Sequence, residues 1–199
     1  MNTILNYALT AVALLMTIVL HELGHGYVAL WQGDATAKEA GRLTLNPIKH
    51  IDPIGLICLY VFKLGWAKPV PIDPSRFKNY RKGMLFVSVA GVSVNLILAF
   101  LSALLMRFFA SNALLMDFLS QLFFYNIAFF VFNLLPIPPL DGSRLITTFL
   151  PYRTQYVMAR YERYSYFLLL ALSWSGFLAK IMVPFMQHMA SGILRVVLR

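Results

Sequence analysis

The feature that most constrains this chain is a cluster of ionisable groups set inside an apolar run. Residues 7–20 are almost uninterruptedly apolar, and the run continues through His21-Glu22-Leu23-Gly24-His25 towards Trp31. On a helix, residues four apart share a face, so His21 and His25 can offer two imidazole nitrogens to one metal ion. Glu22 sits beside them. In metal-assisted hydrolysis the ion polarises a carbonyl and lowers the pKa of a water, while a nearby carboxylate takes the proton, and Glu22 fits that role. A pattern with three fixed positions also arises by chance. Ionisable groups at membrane depth are rare and usually functional, however, which favours the chemical reading.

Composition supports the membrane setting. Of 199 residues 59% are hydrophobic and only 13% charged, with a mean hydropathy of +0.69, which indicates a polytopic membrane protein and excludes a soluble zinc hydrolase. A net charge of +9 does not point to nucleic acid, because the basic residues lack an aromatic or Gly-rich binding frame and fall between apolar runs. They read as topology signals and as contacts with the lipid bilayer. The single Cys58 excludes an intramolecular disulfide and a Cys-based metal site. The N-terminus lacks the basic start and cleavage site of a signal peptide, so the first segment is expected to be retained.

The expected fold is an α-helical polytopic membrane protein in one domain, 1–199. A core of three transmembrane helices carries a small cytoplasmic-side β or re-entrant element and a C-terminal segment of one or two further helices. The first helix covers residues 1–31, and its HExxH lies near the far end, since 17 residues rise about 26 Å of a hydrocarbon core of about 30 Å. The loop 32–82 holds nine of the 17 Lys and Arg, Lys63 among them. The positive-inside rule makes it cytoplasmic and the N-terminus external, in a cell membrane with the site near the cytoplasmic face. Within it, 41–47 alternates polar and apolar residues as a short strand does, 54–62 is apolar but too short to span, and 66–71 is extended by its prolines.

A second helix is expected over 83–109, with Ser88, Gly91, Asn95, Ala99 and Ser102 as a small, polar stripe suited to close packing. The third element, 114–142, ends where Pro136, Pro138 and Pro139 stop the helix and deliver Asp141 to the depth of the histidines. Asp141 is either a third metal ligand or the N-cap of the helix after it. Local pattern leaves these even, and the topology favours the ligand. A fourth span is expected at 164–183. A last apolar helix at 185–198, cut off by Pro184, is compatible with crossing or with lying at the interface.

These residues resemble a known family. His21-Glu22-Leu23-Gly24-His25 with Gly33-Asp34, Gly41-Arg42-Leu43-Thr44-Leu45-Asn46-Pro47, His50-Ile51-Asp52-Pro53, and Asn133-Leu134-Leu135-Pro136-Ile137-Pro138-Pro139-Leu140-Asp141-Gly142 look like a minimal site-2 protease, an intramembrane zinc metalloprotease. The likeness runs to about Arg144. It implies Zn2+ held by His21, His25 and Asp141, Glu22 as catalytic base, and Asn95, in a Gly-x-x-x-Asn element, near the substrate carbonyl. Val92 stands where many relatives have Pro, and Ser143 where a second Gly is frequent. The resemblance implies substrates that are transmembrane proteins or signal-peptide remnants. The loop 32–82 leaves no room for the PDZ or CBS domain that many members carry.

Substrate binding is expected along a strand edge at Arg42, Leu43, Thr44, Leu45 and Asn46, or along the extended segment that starts at Trp66, by main-chain pairing with an unwound peptide. The competing class is a non-catalytic pseudoprotease or metal-binding membrane protein. A transporter would need several ionisable sites along a path, whereas His50 and His188 lie outside the one constellation. His50 reads as structural, and His188 has no role. Neither the oligomeric state nor the particular substrate is set by the sequence.

Overall fold

The apolar run at the start of the chain becomes one helix, α1 (Thr3–Trp31), in a computed structural model that describes residues 3–62 and 65–197. A short turn of helix, α2 (Thr36–Glu39), and a ten-residue apolar helix, α3 (Pro53–Phe62), follow in the loop. The long helices α4 (Tyr80–Phe108) and α5 (Ala113–Asn133) come next. They are followed by the short α6 (Asp141–Thr147), then α7 (Tyr152–Trp174) and α8 (Phe177–Val197). Among the described residues, α1, α4, α5 and α8 are long and apolar enough to cross a membrane.

Asparagine caps set two of the starts. The Asn79 side chain accepts from the Lys82 N–H at 3.0 Å, so α4 opens three residues before the expected Gly83. Asn112 accepts from the Leu115 N–H at 3.1 Å at the head of α5.

Helices α1, α4 and α5 form the core. The stripe Ser88, Gly91, Asn95, Ala99 and Ser102 on α4 is buried throughout, as expected. Small residues are needed there because the backbones approach closely. A Cβ on Gly24 of α1 would stand 2.9 Å from Val94 Cγ2 and 3.3 Å from the Ala90 carbonyl oxygen of α4.

The C-terminal half departs from expectation. The span expected at 164–183 is interrupted by Ser175 and Gly176, where Gly176 (φ +72°) adopts the left-handed conformation that ends a helix without Cβ strain. Helix α8 then passes through Pro184 instead of beginning after it. A proline inside a helix forfeits one N–H bond, and in apolar surroundings neighbouring helices and local adjustment sustain the rest. Leu178 of α8 packs with Leu140 and Leu169, while Ile193 packs with Ala99, Ala103, Leu119 and Phe123. The helix therefore runs the length of the bundle beside α4 and α5. At its end Arg107 Nη1 donates to the Val197 carbonyl at 3.1 Å. Residue 198 lies outside the described residues.

The expected strand at 41–47 is also absent: among the described residues there is no β-strand, only an isolated antiparallel bridge between Ile51 and Ala67. Residues 42–46 instead bend between Gly41 (φ +62°) and the 3-10 turn Pro47–His50. Their alternation does not map onto inside and outside, since Arg42 is buried and Leu45 is 69% exposed. The loop is held by Asp34, fully buried, whose carboxylate accepts from the Thr36 N–H (2.9 Å) and Oγ1–H (2.5 Å) and from the Asp73 N–H (2.7 Å).

Candidate metal centre

The helical period of α1 places His21 and His25 on the face that meets α4. His25 Nδ1 donates to the Val87 carbonyl at 2.8 Å. A carbonyl oxygen only accepts, so Nδ1 carries a proton, and in the neutral ring the lone pair is on Nε2. His21 Nδ1 lies 2.7 Å from Asn95 Oδ1, and the two Nε2 atoms are 3.0 Å apart. Gly91 of α4 gives the imidazoles their space. A Cβ there would fall 2.5 Å from His21 Cε1 and 2.7 Å from His21 Nδ1, and closer still to His25 Nε2.

Asp141 arrives from the other end of the chain. α5 stops at Asn133, and the prolines that follow turn the backbone so that α6 starts against the last turn of α5. Gly142 allows that contact, since a Cβ there would collide with the Leu134 carbonyl. The N-cap position of α6 is Leu140, and no side chain caps it, so the capping role considered for Asp141 is not the one it takes. Asp141 Oδ2 points to the histidines, 3.2 Å from His25 Nε2 and 3.4 Å from His21 Nε2.

These three atoms fit a zinc ion. Asp141 Oδ2 is buried with no hydrogen-bond partner, a costly state for a carboxylate oxygen unless a cation serves it. Ligands at about 2.0–2.1 Å from a tetrahedral zinc stand about 3.3 Å from one another. The observed separations of 3.0, 3.2 and 3.4 Å bracket that figure. The residues form the single group of His, Cys, Asp and Glu able to hold a metal among the described residues.

Glu22 adjoins this cluster. Its Oε2 accepts from the Val70 N–H at 2.8 Å, which ties the extended 66–71 segment to the site. Glu22, both histidines and Asp141 line a cavity of about 820 Å³, whose walls are mostly apolar side chains such as Leu14, Ile18, Phe129 and Met182. Trp66 lines it too, in tilted contact with Tyr166, ring centroids 4.9 Å apart and planes at 50°.

The other residues expected to bind substrate do not line this cavity. Arg42 Nη2 donates to the Lys68 carbonyl at 2.7 Å, and Leu43 fills the space over Gly26. The Thr44 carbonyl accepts from His50 Nε2 at 2.9 Å, and the Asn46 side chain caps the 3-10 turn through the Ile48 N–H at 3.1 Å. Leu45 is exposed. With no strand edge to offer, these residues brace the loop behind Trp66 and Val70. His50 is buried, and His188 is exposed.

Asn95 does not line the cavity either. It is fully buried behind His21, with Oδ1 on His21 and Nδ2 donating to Asn126 Oδ1 at 2.9 Å and, longer, to the Thr17 carbonyl at 3.5 Å. Its amide hydrogens are thus committed within the bundle. Sequence reasoning missed Val70 and Asn126. Val70 carried no signal, because its backbone N–H makes the contact. Asn126 did carry one, as a lone amide inside an otherwise apolar stretch of α5.

Known proteins share these features. The model of peptidase family M50 matches residues 109–176. YwhC of Bacillus subtilis is 42% identical over 170 residues, covering 81% of this chain and 78% of YwhC. Rip2 of Mycobacterium tuberculosis is 33% identical over 166 residues, covering 79% of this chain and 63% of Rip2. MJ0392 of Methanocaldococcus jannaschii is 27% identical over 157 residues, covering 79% and 39%. All three carry names that place them among zinc metalloproteases. No solved structure matches the chain.

Proposed function

The chain belongs to peptidase family M50 and is a zinc metalloprotease, and from that premise we propose that it hydrolyses peptide bonds in or near the transmembrane segments of other membrane proteins. The observation that carries this reading is the placement of the three convergent ligand atoms and Glu22 on the wall of a large, mostly apolar cavity between helices of membrane-spanning length. Such a cavity suits an apolar peptide. Trp66 and the 66–71 segment are the wall against which that peptide would lie.

His21, His25 and Asp141 would hold the zinc. When bound, zinc supplies Lewis acidity to the scissile carbonyl and makes a water acidic enough to be deprotonated near neutral pH. Glu22 would serve as the base, taking a proton from the attacking water as its oxygen bonds to the carbonyl carbon and returning it to the leaving amine as the C–N bond breaks. Val70 N–H holds Oε2, which leaves Oε1 to carry the proton. Asn95 orients His21 from behind. The nine basic residues of loop 32–82 orient this end of the bundle to the cytoplasm, with the N-terminus outside, in a cell membrane. Substrates of this class are membrane-anchored proteins and signal-peptide remnants.

The test is reconstitution of the purified protein with a single-span substrate in liposomes and location of the cut by mass spectrometry. Cleavage within or next to the apolar span, abolished by His21→Ala, supports the reading. Cleavage confined to soluble peptides, with embedded substrate left intact, contradicts it.

A further inference from the structure

His25 and His21 have their protons placed in different ways. For His25 the Val87 carbonyl does this directly, while His21 faces an amide, Asn95, that could present either its oxygen or its NH2 group. We infer that Asn126 and Thr17 are positioning residues that fix Asn95, and through it fix His21 as the Nδ1–H tautomer with its lone pair on Nε2. The inference rests on the reading of His21 as a zinc ligand given above.

The direction of the chain of bonds is set at its far end. Asn126 Nδ2 is 2.8 Å from the Leu122 carbonyl, an acceptor only, so this nitrogen side of the amide must face Leu122. Its second hydrogen goes to Thr17 Oγ1 at 3.0 Å. That hydroxyl has already given its own proton to the Ala13 carbonyl at 2.9 Å, so it meets Asn126 with a lone pair. Asn126 Oδ1 is therefore the atom turned to Asn95, and it demands the Asn95 NH2 group, which stands 2.9 Å away. The 3.5 Å approach of Asn95 Nδ2 to the Thr17 carbonyl has the same sense. Asn95 Oδ1 is left for His21, 2.7 Å from Nδ1, and an oxygen there requires a proton on that nitrogen.

No link can be reversed alone. Thr17, Asn95 and Asn126 are all fully buried, so no water stands in for a partner that turns away. With the opposite tautomer, His21 would aim an N–H at the point where His25 Nε2 and Asp141 Oδ2 converge. Three helices thus act on one proton: α1 supplies Thr17 and His21, α4 supplies Asn95, and α5 supplies Asn126.

The experiment uses the metal-free full-length protein labelled with 15N in its four histidines, with zinc affinity measured separately by chelator competition. In Asn126→Leu the Asn95 amide is released, so His21 should show a mixture of tautomers while His25 keeps its own. Zinc should bind roughly tenfold more weakly, the lower end of what loss of a metal-site supporting bond costs. Thr17→Val, nearly isosteric and the gentler change, should shift both readouts in the same direction by less, and Thr17→Ser should restore them. Retention of the pure Nδ1–H tautomer in Asn126→Leu and Thr17→Val overturns the inference, even if zinc affinity falls. His21→Ala with undiminished zinc affinity would instead overturn the ligand assignment beneath it.

Discussion

Replacing Gly91 by alanine adds one methyl group and should empty the metal centre. The new Cβ would stand 2.5 Å from His21 Cε1 and 2.7 Å from His21 Nδ1, with His25 Nε2 nearer still. Ordinary contact begins at 3.4 Å, so the imidazoles or the α4 backbone must yield by several tenths of an ångström to about 1 Å. Neither shifts freely: Gly24 sits against Val94 and Ala90 on the same contact, and the rings are tied, His25 to the Val87 carbonyl and His21 to Asn95. A zinc site tolerates ligand shifts of about 0.2 Å. A displacement near 1 Å is worth about 100-fold in function where geometry decides. The prediction is zinc affinity at least about 100-fold weaker in Gly91→Ala, read by chelator competition, in a protein that still inserts and unfolds cooperatively. Gly192→Ala on α8, where a Cβ meets nothing within 4 Å, is the matched control and should leave zinc binding unchanged. Wild-type affinity in Gly91→Ala would refute the close-approach reasoning.

Two further substitutions separate the loop's roles. Asp34→Ala leaves three partly buried donors without their acceptor and should cost about 1–3 kcal/mol of stability, seen as a lower unfolding temperature. Trp66→Ala opens the cavity wall without touching a ligand atom, so it should raise KM for an embedded substrate several-fold while zinc content stays at the wild-type level.

Much of the site was legible because helical period and chain topology decide it. The spacing of His21 and His25 is a property of any α-helix, and counting spans brought Asp141 to their level before any contact was known. The capping alternative for Asp141 needed coordinates, since only they show Leu140 in the cap position and the Asp141 carboxylate turned inward. The loop was harder. Alternation at 41–47 has the period of a strand, yet a left-handed glycine and a proline turn bound it so closely that no partner strand can pair, and Arg42 is the residue buried. Asn95 was found by motif, but its neighbour was not, because the partner of a buried amide lies on another helix and no local pattern names it. At the C-terminus Pro184 drew the boundary that Gly176 makes. Proline is tolerated within an apolar helix, whereas the left-handed residue ends one.

The central claim is that Glu22 moves the proton at a zinc centre built by His21, His25 and Asp141. Glu22→Gln keeps the size and the contact near Val70 but cannot accept that proton. With purified variant protein in liposomes, zinc content and cleavage of an embedded substrate are measured on the same sample. The account predicts bound zinc at the wild-type ratio and cleavage slower by about 10²–10⁴-fold. Cleavage at the wild-type rate with zinc in place would contradict it.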